Sequence, residues 1–446
     1  MLNPARWSEA PTMQTNTPKI YKEEEKMNVF KTSHPSKKFH GVVRHTLMIF
    51  LGLGLIISQA HAYEVWVTDQ SDTAEKSGGF LYIYEGNQLT SDLSKAKPTH
   101  IIDTAGEINS MCQKATGKAV RRPHMVFFTK DQQYAVISFL SGQVLFMDAN
   151  SKTPVGCISV GKNVHAAWPT PDQKMVIAAN IKEKKFVRVW TDYSSNTFTF
   201  DKHNDVLDLK ALQSGERPDN APICPITETT STYAFITLRG GGLLVVNVKD
   251  TPMTVVTALN DVQIHPGGCG GIQVGNTMYI NSGGGWPIAP LAYDVYAMNV
   301  SGLPDSLEAT LVSTRDTMFS DSHGMTVVGQ YLWVVDRAGN TVEIIDTVTN
   351  FIVGMIQLTG SHSDDPAPDL IGVSPDNRYV FTNMRGIHPL TANNKTVNNA
   401  KGSTPGVMII KVNAGGRSGE VVGIVRITNM KNGKETADPH GLAVRG

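Results

Sequence analysis

The sequence predicts an all-β protein built from a repeated unit, and three observations support this prediction. Segments rich in Val, Ile, Tyr, Phe and Thr alternate with turn residues, including 40 glycines among 446 residues. These segments recur as a cassette in which two strands follow a His, Cys or Asp residue. One cassette is split between the two ends of the chain. The pattern predicts a seven-bladed β-propeller, a ring closed by pairing the C-terminal strand with N-terminal strands.

Two neighbouring copies define the cassette. Residues 123–131 read PHMVFFTKD and precede the strands YAVISFL and QVLFMDA. Residues 164–172 read VHAAWPTPD and precede MVIAAN and FVRVWTD. In both copies the Asp follows the His by seven residues, and the copy that begins at Asp369 repeats this interval to Asp376. A shorter form begins at Cys269 and at His323, with a glycine six residues later in each. A further copy begins at Cys224.

The last copy explains how the ring closes. Residues 438–446, DPHGLAVRG, contain one strand, and the segments EVWVTDQ, GGFLYIYEG and THIIDTA near the N-terminus supply the others. Closure protects edge strands that would otherwise pair with other chains. The competing interpretation, a two-sheet sandwich, does not explain this division. Insertions at 197–220 and 386–404 account for the longest intervals between copies.

The first residue of each cassette, here called the lead residue, is a potential metal ligand in every copy. The lead residues are His124, His165, Cys224, Cys269, His323, Asp369 and His440. Only 13 His and 4 Cys occur among 446 residues, yet they occupy six of the seven lead positions. Equivalent residues of successive blades surround the channel of a propeller, so we expect these side chains to meet there. Imidazole and thiolate suit copper or zinc, and more than four ligands suggest more than one ion. The competing interpretation is that the histidines only bond backbone and water.

The four cysteines have two possible roles. Cys224 and Cys269 belong to neighbouring blades and are either metal ligands or a disulfide. Cys112 precedes the first cassette in a predicted loop and Cys157 lies in the outer part of that blade, so these two form a plausible structural pair. Arg239 and Arg385 follow strand segments and are expected near the opposite face or the next strand, with no assigned role.

The N-terminus predicts export. A basic segment that begins at Met27 leads into the apolar run TLMIFLGLGLIIS and the cleavage pattern Ala60-His61-Ala62. We therefore expect residues 1–26 to be a mis-assigned start, residues 27–62 a signal peptide and residues 63–446 the propeller. The apolar run is short for a membrane anchor, which is the alternative. The expected location is the periplasm, with no stable membrane span after cleavage.

Composition excludes two classes of function. Lys+Arg and Asp+Glu both number 40, which gives no electrostatic basis for binding nucleic acid. The motif C-x-x-C-H is absent, so no c-type haem is expected on this chain. An electron-transfer reaction would need a separate partner protein.

The lead residues and turns carry a resemblance to YVTN-type seven-bladed propellers. The residues concerned are Pro123-His124, Ser322-His323-Gly324, Pro439-His440-Gly441 and the turn at 373–376. Within that group, the histidine ring resembles those of nitrous oxide reductase and copper-dependent thiocyanate dehydrogenase. The resemblance implies copper as the cofactor, with His124, His165, His323 and His440 as ligands. This sequence departs from that pattern by placing two Cys and one Asp in the ring and by lacking a second copper-binding domain after the propeller.

Three functions follow from these observations. The first is a copper-dependent periplasmic oxidoreductase that acts on a small sulfur or nitrogen compound and exchanges electrons with a cytochrome c or cupredoxin. The second is a non-catalytic propeller that serves as a metal-binding scaffold or as a subunit of an oxidoreductase complex. The third is a lactonase-type hydrolase, which would favour an oxygen-rich divalent metal site over a ring with one carboxylate.

Overall fold

The computed structural model describes residues 62–212, 215–283, 293–315 and 319–446. These residues belong to one compact unit. The expected start at Met27 lies outside the described residues. The predicted signal peptide, residues 27–62, also lies outside them except for its last residue. None of the helices within the described ranges has the length and apolar character needed to cross a membrane.

The described residues form seven antiparallel sheets arranged as a ring, which confirms the seven-bladed β-propeller. We number the blades 1 to 7 by the order of their inner strands and name the strands of each blade A to D from the channel outward. The A strands are Pro123–Phe128, Val164–Pro169, Pro222–Thr227, Gly271–Val274, Ser322–Val328, Pro368–Val373 and Pro439–Arg445. The B strands are Tyr134–Phe139, Met175–Asn180, Tyr233–Leu238, Thr277–Ser282, Tyr331–Asp336, Tyr379–Met384 and Glu64–Asp69.

The outer strands complete each blade. The C strands are Gln143–Asp148, Lys185–Asp192, Leu243–Asn247, Tyr293–Asn299, Thr341–Asp346, Gly406–Asn413 and Phe80–Glu85. The D strands are Thr153–Ser159, Thr254–Leu259, Ala309–Arg315, Ile352–Gln357, Ser418–Arg426 and His100–Asp103, and in blade 2 both Thr197–Thr199 and Val206–Asp208 pair with strand C.

The middle strands of each blade are buried on both faces. Strand B of blade 2, MVIAAN, is buried at every position, and strand B of blade 1 is buried at all but its first residue. Blades pack face to face, so both sides of a middle strand lie against protein and its sequence is an apolar run without alternation. This packing explains why most of the B and C strands were predicted from the sequence, although strand C of blade 4, Tyr293–Asn299, was not.

The Asp that marks the cassette stabilises the turn between strands A and B. Oδ1 of Asp131 accepts hydrogen bonds from Oγ1 of Thr129, at 2.7 Å, and from N of Gln133, at 3.1 Å. Asp376 makes the same two contacts in blade 6. In blades 4 and 5 the turn is shorter, and Gly275 and Gly329 adopt φ of 58° and 62° there. The Asp and Gly signals of the sequence therefore mark equivalent turns.

Blade 7 closes the ring as predicted. Strand A, from the C-terminus, pairs antiparallel with strand B from the N-terminus, with Glu64 opposite Arg445 and Trp66 opposite Ala443. The sheet therefore contains both ends of the described chain.

Some elements were not expected. The helix Glu107–Thr116 carries Cys112, which the sequence placed in a loop. The insertion at 197–220 contributes the two short strands of blade 2. The other described elements are the short helix Gly86–Thr90, the 3₁₀ turns Val300–Gly302 and Ala414–Gly416, and the ribbon formed by Met430–Lys431 and Lys434–Glu435.

Candidate functional site

The seven lead residues converge at one end of the central channel. Five of them are the second residue of strand A, Cys224 is the third, and Cys269 lies two residues before its strand. Their exposed fractions range from 0 to 9%, so the ring is buried. The structure thus brings together every residue that the sequence placed in the ring.

A break in strand register aims the lead side chains into the channel. In blade 2, Val164 pairs with Asn180 and Ala166 with Ala179, so His165 falls in an irregularity of the A–B ladder. The ladders of blades 1, 3, 5, 6 and 7 break at the corresponding residue. Such bulges redirect a side chain and commonly lie beside functional sites.

A set of short polar side chains on the B strands, here called the girdle, holds these breaks in place. The girdle residues are Thr68, Ser138, Thr237, Asn281 and Asn383. Each girdle side chain accepts a hydrogen bond from a backbone N–H of its own blade, at the lead residue or the residue after it. Each also donates a hydrogen bond to a backbone carbonyl of the next blade, at the lead residue or the residue before it. For example, Oγ1 of Thr68 accepts from N of Gly441 at 2.7 Å and donates to O of His124 at 2.8 Å. The girdle therefore links neighbouring blades at the ring.

Two groups of ligand-type atoms lie within the ring. The first group is His323, Asp369 and His440, and one potential ligand atom from each of them lies within 4.8 Å of the other two. The imidazole of His124 stacks on that of His440 with ring centroids 3.7 Å apart. The second group, which meets the same distance criterion, is His165 with Cys224 and Cys269.

The structure joins both cysteine pairs as disulfides. Cys224 and Cys269 bond across blades 3 and 4, with Cα atoms 5.1 Å apart. Bonded sulfurs carry no thiolate charge, so in this state the pair does not provide the two thiolate ligands that the sequence allowed. Cys112 and Cys157 form the predicted structural pair, which ties the helix Glu107–Thr116 to strand D of blade 1.

Asp369 is the electrostatic centre of the ring. Its Oδ1 lies 2.6 Å from Nε2 of His323 and 3.3 Å from Nη1 of Arg337. Its Oδ2 lies 2.8 Å from Nη1 of Arg385 and 3.6 Å from Nε2 of His440. Burial would raise the pKa of Asp369, but these neighbours, led by His323, hold that pKa well below its usual range. The carboxylate is therefore ionised and is available as a ligand.

Two further carboxylates hold the arginines. Asp438 receives Nε and Nη2 of Arg385 at 2.7 and 2.9 Å, in the bidentate arrangement that fixes a guanidinium plane. Asp321 receives Nε and Nη2 of Arg337 at 2.9 and 2.6 Å. Three buried carboxylates thus surround two guanidiniums.

Sequence analysis missed this arginine network. Arg385 was expected near the opposite face or the next strand, whereas it is fully buried beside Asp369. Arg239 pairs with Asp219 instead. Arg239, Arg337 and Arg385 each directly follow a B strand, one residue after its end, so that shared position alone does not identify the two arginines that contact Asp369.

The insertion at 386–404 lies across the ring. N of Leu390 donates to Oδ2 of Asp438 at 2.7 Å, and Nδ2 of Asn399 donates to Oδ2 of Asp321 at 2.6 Å. The carbonyl oxygen of Thr391 accepts from Nη2 of Arg385 at 3.1 Å. The loop therefore helps to shield the ring from water at this face.

Three of the ring histidines, His124, His165 and His440, are held neutral. Burial, followed by neighbouring imidazoles, keeps the pKa of His124 well below its usual range. Burial also lowers the pKa of His165 to about 3 and that of His440 well below its ordinary value. A neutral imidazole keeps a lone pair on one ring nitrogen, which is the form that binds metal.

Several of these nitrogens have no hydrogen-bond partner. Within the part of the chain that is described, the unpartnered atoms are Nε2 of His124, Nδ1 of His323, and both Nδ1 and Nε2 of His440. Buried polar atoms nearly always have partners, and an unsatisfied one costs about 1–3 kcal/mol. Their concentration around Asp369 indicates a site that takes a further ligand, and the residues present fit a copper ion.

On the other side of the ring, the channel continues as an apolar cavity of about 310 Å³. Its wall contains Phe127 and Trp168, whose rings stack with centroids 4.2 Å apart, and it reaches Cys269. The cavity runs toward the carboxyl ends of the A strands, so it offers a route to the ring that the loop at 386–404 does not cover.

Comparison with solved structures finds other propellers. A periplasmic gluconolactonase from Pseudomonas aeruginosa matches with a TM-score of 0.54 and 12% identity, over 86% of this chain and 99% of that chain. A proposed 6-phosphogluconolactonase from Bacteroides fragilis matches with a TM-score of 0.57 and 15% identity, over 87% and 99%. A protein from Lactobacillus plantarum matches with a TM-score of 0.58 and 10% identity, over 86% and 99%.

The fold is shared. At these identities the likeness extends to the propeller and not to the site. No protein-family model matches the chain. No curated protein matches it either.

Proposed function

We propose that this chain is a periplasmic copper protein whose ring residues His124, His323, Asp369 and His440 bind the metal, and that it is an oxidoreductase. The observation that carries the proposal is the set of unpartnered nitrogens on His124, His323 and His440 around one ionised carboxylate. Imidazole with a single carboxylate suits copper better than it suits calcium or magnesium. Export is supported by the two disulfides, which persist in an oxidising compartment.

Copper would supply a change of redox state and would polarise a bound substrate. The chain's own residues prepare the site for this role. Arg337 and Arg385 orient the carboxylate of Asp369. Asp321 and Asp438 occupy the other donors of these arginines, so neither guanidinium has a free edge for a substrate. The loop at 386–404 limits water, and the cavity beside Phe127 and Trp168 admits a small molecule. A small sulfur or nitrogen compound is the substrate class proposed, with a cytochrome c or cupredoxin as electron partner.

The first experiment is elemental analysis of the protein purified from a periplasmic fraction without a histidine tag. We expect copper in the native protein and loss of at least one equivalent in the His440→Ala and His124→Ala variants. His203→Ala, at an exposed position in the insertion of blade 2, should keep the native copper content. Absence of transition metal after copper reconstitution under reducing conditions would contradict the proposal. Copper binding without turnover of sulfur or nitrogen compounds would leave the scaffold function.

Lactone hydrolysis is the second candidate, favoured by one contact. Nε2 of His323 lies 2.6 Å from Oδ1 of Asp369, an arrangement in which a carboxylate can orient an imidazole that moves a proton. Two of the compared propellers are described as gluconolactonases, one of them as a proposal. The test is hydrolysis of gluconolactone and its 6-phosphate by metal-free protein, with His323→Ala as the control. Hydrolysis that survives metal removal and is lost in His323→Ala would select this function, and absence of hydrolysis both without metal and with added Ca²⁺ or Mg²⁺ would exclude it.

A further inference from the structure

The disulfide between Cys224 and Cys269 occupies an unusual position for a structural bond. It joins the A-strand regions of blades 3 and 4 inside the ring, where Nδ1 of His165 lies 3.6 Å from Sγ of Cys224 and 3.9 Å from Sγ of Cys269. An imidazole thus faces both sulfurs. The other disulfide, Cys112–Cys157, connects a helix to an outer strand, and no histidine contact is recorded for it among the described residues.

The inner disulfide is also next to a cavity. Cys269 contributes to the wall of the apolar cavity of about 310 Å³, whereas Cys112 lies in a separate buried core between the helix and blade 1. A small thiol reductant can therefore approach Cys269 along the channel without unfolding a blade. Attack on a disulfide needs such access for an incoming thiolate.

Reduction would change the chemistry of this group completely. Two thiols of a reductant form one disulfide among themselves and pass two electrons and two protons to the protein, which leaves Cys224 and Cys269 as thiols. Each thiol releases its proton when it binds a metal ion, and the neutral imidazole of His165 supplies a third ligand atom. One potential ligand atom from each of the three side chains already lies within 4.8 Å of the other two.

We propose that His165, Cys224 and Cys269 form a second, redox-gated metal site that is closed while the disulfide is present and opens on its reduction. Two thiolates and one imidazole suit a soft or borderline ion such as Cu(I) or Zn²⁺. The site is distinct from the group around Asp369 and does not depend on the oxidoreductase activity proposed above. It makes the metal content of the ring depend on the thiol–disulfide balance of the surroundings.

The test uses Co²⁺ as a spectroscopic probe of the purified protein. One sample is kept oxidised, and the other is treated with dithiothreitol, which is then removed under anaerobic conditions. We expect a thiolate-to-cobalt charge-transfer absorption in the reduced sample only, with one additional cobalt ion per chain. Thiol titration before metal addition establishes that Cys224 and Cys269 are reduced in the folded protein.

Four variants identify the residues responsible. Cys224→Ser/Cys269→Ser should lose the absorption, and the matched Cys112→Ser/Cys157→Ser variant should keep it after reduction. His165→Ala should raise the Kd for cobalt by at least the roughly tenfold that is typical even of residues that only orient a ligand. His440→Ala, which disables the other group, should keep the absorption. A reduced native protein without the absorption, or a disulfide that resists reduction until the protein unfolds, would overturn the proposal.

Discussion

At the scale of single residues, the ring depends on Asp369. This side chain is fully buried and contacts two guanidiniums and two imidazoles, so it is both a potential ligand and the counter-charge of the arginines. Burying an arginine without a counter-charge is costly, because the guanidinium loses its hydration. The stability of the propeller and the chemistry of its channel therefore depend on the same carboxylate.

Replacing this carboxylate by an amide tests that dependence. Asp369→Asn keeps the shape of the side chain but leaves Arg337 and Arg385 with less negative charge. We expect the free energy of unfolding of metal-free protein to fall by about 3–5 kcal/mol, as when one partner of a buried ion pair is removed. The measurement is urea unfolding followed by circular dichroism.

The matched control is Glu420→Gln on strand D of the same blade. Glu420 pairs with Lys411 at 3.4 Å, and both side chains are more than half exposed. Exposed pairs contribute little, so this variant should change the free energy of unfolding by less than about 1 kcal/mol. Equal effects of the two substitutions would show that Asp369 is not the centre of the network.

The residue scale also shows where sequence reasoning ended. All seven lead residues were identified. The turn Asp aligned the copies of His124, His165 and Asp369 independently of the ring, and the turn Gly aligned those of Cys269 and His323 with each other, whereas the lead residues themselves helped to align the Cys copies. Arg337 and Arg385 were not assigned to the ring. Each follows an apolar strand, and a charged residue at such a boundary usually lies in solvent. The carboxylates Asp321, Asp369 and Asp438, brought in from other segments, make burial of these arginines possible.

At the scale of strands, the girdle decides where the lead residues lie. Its members are Ser, Thr and Asn on B strands that otherwise carry apolar side chains, which is why a hydrophobicity pattern does not reveal them. Their hydrogen bonds satisfy the backbone groups that the register breaks would leave unpaired. The strands themselves were predictable from apolar runs and turns, whereas the helix Glu107–Thr116 is short, buries only Ile108 and Cys112, and was not predicted.

Thr68→Val tests the girdle with a substitution of nearly equal shape. It removes the acceptor for N of Gly441 and the donor to O of His124, both of which are buried. We expect a loss of about 2 kcal/mol in the free energy of unfolding, within the range for unsatisfied buried groups. Thr310→Val, at an exposed position on strand D of blade 4, should change it by less than about 0.5 kcal/mol. A Thr68→Val variant as stable as the native protein would contradict the structural role of the girdle.

The outer disulfide acts at the same scale. Cys112 and Cys157 are 45 residues apart in sequence, and their bond restricts the unfolded chain over that length. Removing it by Cys112→Ser/Cys157→Ser should lower the free energy of unfolding by about 2–4 kcal/mol. Hydrogen exchange should increase first in the helix Glu107–Thr116. Faster exchange confined to the channel strands would contradict this assignment.

At the scale of the whole molecule, the split blade closes the ring. Each pair of neighbouring blades is connected by the chain, and the two ends of the described segment meet within the single sheet of blade 7. Breaking the chain between two blades would leave that junction with side-chain contacts and hydrogen bonds but without a covalent connection. The location of the termini is therefore a determinant of stability that no individual contact reveals.

Two circular permutants compare termini placed between blades with termini placed within a blade. In both, the native ends are joined by a short Gly-Ser linker. New termini in the turn at 360–363, between blades 5 and 6, should lower the midpoint of thermal unfolding, by roughly 2 °C for each kcal/mol lost. New termini in the turn at 375–377, between strands A and B of blade 6, recreate a split blade and should preserve the native midpoint. Identical midpoints for the two permutants would show that strand exchange within a blade does not stabilise closure.

The girdle also has a mechanical consequence. Ser, Thr and Asn have few rotatable bonds, so their hydrogen bonds restrict the spacing between blades at the five junctions that the girdle spans. At these junctions the lead residues can move apart only if the hydrogen bonds break or the blades tilt. We therefore expect the backbone at these lead positions to keep the same spacing whether or not an ion is bound.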